Sequence, residues 1–415
     1  MTETLFSPVL SGEIRAITSK SEVHRLLICA ALADKKTVIE CKDTNEDINA
    51  TADCLRALGA AISYKDGFFE VTPIQSVPQK AVLPCNESGS TLRFLIPVVC
   101  ILGVEAEFLM RGRLSERPLS PLKELLEENG AVFEQKGSSL FVKADIKGHF
   151  FSIAGNVSSQ FISGLLFMLS VSGGEIEITG KTESAPYIDM TVNALKNFNC
   201  PVEKTENGYK ITKTQPLCSP EKITTKGDWS NAAFFITAGV VGKNPVTVTG
   251  LELDSAQGDK AIIDELKKLG AKITSENNSV TAFPSCLKSA DIDASQIPDL
   301  VPILSVAACC AEGTTKIYGA GRLRIKESDR LQTVCDMLTS LGGKVKINPD
   351  GLEITGCTLS GGEFSSVNDH RIAMSGAVAA TLCKTQVTIN GSEAVKKSYP
   401  DFWKDFYKLS DEKRN

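Results

Sequence analysis

Two carboxylates stand among clustered cations in the second half of the chain. Ser295-Gln296-Ile297-Pro298-Asp299-Leu300 puts one acid at the expected start of an otherwise uncharged helix. Arg322 to Arg330 is the densest charge cluster and contains Lys326, Glu327 and Arg330. Asn368-Asp369-His370-Arg371 opens a further apolar run, and Lys396-Lys397-Ser398 introduces a C-terminal helix. In the first half, Ser19 to Arg25 brings Lys20, Ser21 and Arg25 to the start of an apolar segment. Asn86 to Arg93 does the same for Gly89, a polar loop carries Arg117, and Val157 to Phe161 presents Ser158, Ser159 and Gln160. Each motif alone has an ordinary explanation as a cap, a solvated loop or an i,i+3 ion pair. Lys20 is harder to explain, because a helix N-terminus already carries partial positive charge and unpaired N–H groups; an anionic ligand resolves the conflict. Lys20, Arg25, Arg117, Lys326, Arg330, Arg371 and Lys397 hold more positive charge than one phosphate needs. Two polyanionic ligands fit better, with Asp299 and Glu327 to move protons between them.

The elements that position these groups recur. Six apolar segments rich in small residues, Glu22–Ala33, Thr91–Leu102, Ser159–Ser170, Ser230–Val241, Asp299–Ala311 and His370–Thr381, start roughly every 70 residues. Their near-uniform apolarity predicts helices buried on most sides. An amphipathic helix follows each of the first five, ending at Leu58-Gly59, Asn129-Gly130, Asn199-Cys200, Leu269-Gly270 and Leu341-Gly342. Glycine there suits a left-handed C-cap. Hairpin patterns come next, such as Ala131–Lys143 and Lys344–Thr355,. The unit reads strand, buried helix, strand, amphipathic helix, two strands. The sixth copy is completed by a helix over Tyr399–Leu409. Six copies divide into three per domain, and motifs at equivalent helix ends imply convergence on one place.

Bulk properties exclude several classes. A chain of 415 residues exceeds what one core normally supports,. Its net charge of −5 gives no global attraction for nucleic acid or an anionic membrane,. The longest apolar run, Leu95–Val104, is about half of a membrane span,. The N-terminus shows no secretory pattern, which leads us to expect a cytoplasmic protein. Thirteen cysteines without a CxxC pair, and only three histidines, offer no zinc spacing,. Reduced, buried cysteines are expected instead. The glycine loop at Gly89 is not a P-loop, since no GK[ST] follows,.

At this level the motifs resemble the enolpyruvyl transferases, in particular the branch whose acceptor is shikimate-3-phosphate. Ser19–Arg25, Glu87–Arg93, Glu116–Pro118, Ser158–Phe161, Ser184–Thr191, Ile297–Asp299, Lys326–Arg330, Asn368–Arg371 and Lys397–Trp403 occur in the family's order across nearly the whole chain. The resemblance implies an inverted α/β barrel architecture of two domains, each with three βαβαββ units. One domain would comprise residues 1–18 plus 227–415, the other 19–226, with the active site in the cleft between them. It implies transfer of the enolpyruvyl group of phosphoenolpyruvate to the 5-hydroxyl of shikimate-3-phosphate in aromatic amino acid biosynthesis. The protein would act as a monomer on these small molecules, with no cofactor, metal, nucleic acid or membrane.

Carried over by motif, Lys20, Ser21, Arg25, Ser158, Ser159, Gln160, Ser184, Asp299, Arg322 and Lys326 would hold shikimate-3-phosphate. Lys20, Gly89, Arg117, Gln160, Arg330, Arg371 and Lys397 would hold phosphoenolpyruvate. Asp299 resembles the base at the attacking hydroxyl, and Glu327, with Lys20, the group handling the methylene proton. Two positions depart from the pattern: Glu87 and Arg322 stand where many members carry Asn. A carboxylate beside a phosphoenolpyruvate site should repel it unless Arg93 or another cation neutralises it. The alternatives are a UDP-N-acetylglucosamine enolpyruvyl transferase, which usually carries a reactive cysteine in the loop corresponding to Arg111–Pro121, and a non-catalytic anion-binding repeat module. This chain has no cysteine in that loop.

Overall fold

The computed structural model of the chain describes residues 1–146, 148–213 and 215–411. Its contacts divide the chain into two units, one of Thr18–Thr225 and one of Met1–Ile17 with Lys226–Asn415. Each unit is built on three buried helices. In the Thr18–Thr225 unit the helices are α1 (Lys20–Ala31), α2 (Glu46–Ala57), α3 (Gly89–Leu102), α4 (Leu122–Glu128), α5 (Ser159–Ser172) and α6 (Ala185–Asn197). In the other they are α7 (Trp229–Val241), α8 (Ile262–Lys268), α9 (Val301–Cys309), α10 (Arg330–Ser340), α11 (His370–Ala380) and α12 (Phe402–Leu409). The odd-numbered members are buried almost all round. The even-numbered ones show one buried face, as alternating apolar and charged positions require,.

Three starts differ from the sequence expectation. Helix α1 begins at Lys20 with Ser19 in the cap position, so Ser21 lies inside the first turn instead of capping it. Asp299 sits in a separate 3₁₀ turn, Pro298–Leu300, ahead of α9. Two prolines, Pro298 and Pro302, bracket that start and split it from the helix, because neither can donate a backbone N–H. The C-terminal helix starts three residues later than Tyr399, at Phe402.

Among the described residues the strands fall into six small sheets. In five of them a parallel pair is extended by an antiparallel hairpin, for example Lys80–Asn86, Glu105–Met110, Ser139–Ala144 and Ala131–Lys136 in that spatial order. Buried and exposed positions alternate along most strands, so each sheet turns one face to the helices and one to solvent,. The leading strands of the first and fourth repeats are exchanged. Gly12–Arg15 precedes α1 yet pairs in parallel with Val246–Thr249, after α7. Lys222–Thr224 precedes α7 yet pairs in parallel with Thr37–Glu40, after α1. Among the described residues the sixth repeat has no hairpin, and Thr2–Leu5 takes its place by pairing antiparallel to Val387–Asn390.

Small residues in the buried helices let backbones approach. A Cβ on Gly164 of α5 would lie 2.5 Å from the carbonyl oxygen of Arg93 on α3. Nearby, Phe94 and Phe167 meet edge to face at 5.5 Å, a geometry aromatic pairs prefer. Eight of the thirteen cysteines are buried and none is disulfide-bonded, whereas Cys286 and Cys310 are exposed. No helix among the described residues is long and apolar enough to cross a membrane.

Candidate active site

In the C-terminal unit, four elements deliver charged groups to one place. The 3₁₀ turn before α9 brings Asp299; the turn Gly321–Ile325 and the residues after it bring Arg322, Lys326 and Glu327; α10 and α11 begin with Arg330 and Arg371. Asp299 is the hub. Its Oδ1 accepts from Arg330 Nη1 at 2.8 Å and from Lys326 Nζ at 3.4 Å, and its Oδ2 accepts from Arg371 Nη2 at 3.0 Å. Burial alone would raise the Asp299 carboxyl, but Arg371, Lys326 and Arg330 together hold it well below the usual carboxylate range,. Lys326 moves down, because burial outweighs the attraction of Asp299.

Arg330 organises the cluster. Its side chain is 1% exposed. It donates through Nη2 to Glu327 Oε2 at 2.7 Å and through Nε to Asp369 Oδ2 at 2.8 Å, besides its bond to Asp299. Burial would lower Arg330, but Asp369, Glu327 and Asp299 raise it well above its ordinary value. Asp369, fully buried, also caps α11 by accepting from the Arg371 backbone N–H at 3.0 Å and accepts from Ser328 Oγ at 3.0 Å. Lys397 reaches the carbonyl of Asn368 at 2.6 Å, and Arg322 that of Ser295 at 2.9 Å.

In the Thr18–Thr225 unit, the starts of α1, α3 and α5 carry the second group. Lys20 Nζ pairs with Asp47 Oδ2 at 2.7 Å. Arg25 is fixed by Thr191 Oγ1 at 2.8 Å, by the carbonyls of Tyr187 and Ser21, and by the face of Phe94 at 5.0 Å. Burial brings Arg25 down to about 10, which still leaves it charged at neutral pH. Gly89 opens α3 where two guanidiniums converge: a Cβ there would lie 2.7 Å from Arg93 Nη1 and 2.8 Å from Arg117 Nη1. Only glycine leaves that space to a ligand. Gln160 bridges α5 to α3, accepting from Arg93 Nη1 at 3.1 Å and donating to Ser90 Oγ at 2.9 Å. Ser158 caps α5, Ser159 follows it, and Ser184 is held at φ 53°, a left-handed conformation uncommon for serine,. Glu87 lies against Gly112, whose Cβ would fall 2.7 Å from the Glu87 carboxyl carbon.

A family model described as EPSP synthase (3-phosphoshikimate 1-carboxyvinyltransferase) matches residues 7–406. The chain belongs to the EPSP synthase family. A 3-phosphoshikimate 1-carboxyvinyltransferase of Clostridium beijerinckii is 42% identical over 417 residues, covering 96% of this chain and 95% of that one. Its counterpart from Clostridium acetobutylicum is 43% identical over 410 residues with the same coverage of 96% and 95%. Among solved structures, the EPSP synthase from Acinetobacter baumannii superposes with a TM-score of 0.82 at 24% identity, covering 99% of this chain and 98% of that one. The enolpyruvyl transferase NikO from Streptomyces tendae gives 0.79 at 20% identity, covering 98% and 97%. At those identities the two structures speak to the fold: it is the two-domain enolpyruvyl transferase fold.

Sequence reasoning about this EPSP synthase family member missed several groups. Asp369 stood out only as a member of the Asn368–Arg371 motif, Asp47 not at all, and Tyr187 and Thr191 only within Ser184–Thr191. Their common signal is position. Asp47 and Asp369 sit at helix starts, and Tyr187 and Thr191 sit one turn apart on α6.

Proposed function

We propose that this chain transfers the enolpyruvyl group of phosphoenolpyruvate to the 5-hydroxyl of shikimate-3-phosphate, releasing phosphate and giving 5-enolpyruvylshikimate-3-phosphate. The observation that carries this reading is the Asp299 hub, a carboxylate kept ionised by Arg371, Lys326 and Arg330 with Glu327 on the same arginine. Relatives more than 40% identical along the chain bear the name of that activity. The UDP-N-acetylglucosamine reading gains no support from them.

Addition precedes elimination in this mechanism. An acid, Glu327 or Lys20, protonates the phosphoenolpyruvate methylene while Asp299 takes the proton of the 5-hydroxyl, whose oxygen bonds to the cationic carbon. Loss of a proton from the new methyl group and of phosphate restores the enol ether. Lys20, Ser21, Arg25, Ser158, Ser159, Gln160, Ser184, Arg322 and Lys326 would bind shikimate-3-phosphate. Gly89, Arg117, Arg330, Arg371 and Lys397, with Lys20 and Gln160, would bind phosphoenolpyruvate. The protein supplies positioning, charge stabilisation and proton transfer. Action as a monomer in the cytoplasm belongs to the same reading. A phosphate-release assay tests it: phosphate should appear only when both substrates are present. Release with either substrate alone, or none with both, would overturn it.

A further inference from the structure

A second polar network lies under the helix starts of the Thr18–Thr225 unit, and the reaction scheme does not use it. His24 on α1 places Nδ1 2.7 Å from Thr51 Oγ1 on α2, and Thr51 Oγ1 is 2.6 Å from Thr91 Oγ1 on α3. Thr91 Oγ1 donates to Ser88 Oγ at 2.7 Å. Ser88 is the N-cap of α3, accepting from the Thr91 backbone N–H at 3.3 Å. All four side chains are at most 1% exposed. The network therefore crosses three helices in a buried interior and ends one residue before Gly89.

Its direction follows from the last link. Because Thr91 spends its proton on Ser88, it accepts from Thr51, and Thr51 in turn accepts from His24. His24 must carry its proton on Nδ1, which leaves Nε2 as a bare lone pair. Among the described residues that atom is buried with no hydrogen-bond partner, in keeping with a nitrogen that has nothing to donate. Burial, then Lys20 and Arg25, keep the ring neutral by pushing it well below its ordinary value. A protonated ring would need a second acceptor at Nε2.

We propose that His24 is a positioning residue for the anion-binding start of α3, acting through Thr51, Thr91 and Ser88. The chain holds the Ser88 cap on the third residue of the helix. The N–H groups of Gly89 and Ser90 are then left to face the anion beside Arg93 and Arg117. A broken chain lets the cap rotate, and the first turn of α3 loses its fixed aim. This rests on the enolpyruvyl transfer reading, in which Gly89 meets phosphoenolpyruvate.

Thr51 touches neither proposed ligand set, so it gives the clean test. Thr51→Val keeps shape and removes the relay; Thr51→Ser keeps the hydroxyl. In the full-length enzyme, Thr51→Val should raise KM for phosphoenolpyruvate about tenfold, with KM for shikimate-3-phosphate changed less than about twofold, and Thr51→Ser should restore most of the loss. His24→Leu should repeat the Val result and His24→Asn, whose amide can donate from the Nδ1 position, should rescue it. These two serve if the Thr51 variants lose melting temperature. Equal weakening of both substrates, or Ser and Val variants that behave alike, would overturn the positioning role while leaving the reaction intact. Wild-type protein that releases no phosphate would remove the reaction itself, and the inference with it.

Discussion

At the scale of single residues, the chain separates holding charge from using it. Arg330 is buried and tied to Asp299, Glu327 and Asp369, whereas Asp299 and Glu327 each keep 22% of their side chains exposed. Asp299→Asn and Glu327→Gln keep shape and remove proton transfer, so each should lower kcat by roughly 10²–10⁴ with modest change in KM. Exchange of the phosphoenolpyruvate methylene hydrogens with deuterated solvent should fall most in Glu327→Gln; normal exchange there, with loss in Asp299→Asn, would reverse the two roles. Arg117→Ala should weaken phosphoenolpyruvate binding by about 2–5 kcal/mol and spare shikimate-3-phosphate, measured by titration calorimetry. Arg371→Ala is a less clean probe, because it also removes a cation that holds Asp299 ionised. His24 brings a pH dependence. Its folded pKa is depressed, so the unfolded chain takes the proton first. Stability from this group is complete above the unfolded value near 6.5 and declines as pH falls below it, by up to about 1.4 kcal/mol per pH unit. Denaturant midpoints between pH 7 and pH 5 should fall less steeply in His24→Asn than in wild type.

At the scale of elements, the repeat was legible because burial and period write themselves into composition. Segments such as Ser230–Val241 are apolar on every side, and Gly59, Gly130, Gly270 and Gly342 all take positive φ at the helix ends their sequence position implied. What was not legible is which strand joins which sheet. Gly12–Arg15 and Lys222–Thr224 look like any leading strand; nothing in their own residues marks the exchange, and only the family resemblance, which groups residues 1–18 with 227–415, pointed to it. The site divides in the same way. Lys326, Glu327 and Arg330 could be picked out because charge in an apolar neighbourhood is conspicuous. Asp47, Asp369 and Thr51 could not, since a helix start or a small hydroxyl has a local explanation already. The small residues make a further prediction. Gly164 lets α5 pack on α3 beside the residue that holds Gln160, and a methyl there meets backbone. Gly164→Ala should cost about 1–3 kcal/mol in chemical denaturation through overpacking, despite the better helix propensity of alanine. A stabilised variant would mean that the two helices have room to separate.

At the scale of the whole molecule, the proposed ligands draw on both units, and neither unit carries a full set. Lys20, Arg25, Gly89, Arg117 and Gln160 lie in Thr18–Thr225; Asp299, Arg322, Lys326, Arg371 and Lys397 lie in the other. Lys20, Gly89 and Gln160 stand at the starts of α1, α3 and α5, whose opening N–H groups lack intrahelical partners, and such groups exchange with solvent unless something covers them. Hydrogen exchange therefore reads occupancy directly. With shikimate-3-phosphate alone, protection should rise at the starts of α1 and α5 and through the segment from Arg322 to Lys326. Adding an unreactive phosphoenolpyruvate analogue should extend it to the start of α3 and to the start of α11, while the outward faces of the sheets stay unchanged. Protection confined to one unit with both ligands present would mean that the residues assigned in the other do not contact substrate. Protection at α3 with shikimate-3-phosphate alone would place Gly89 and Arg117 with the wrong anion.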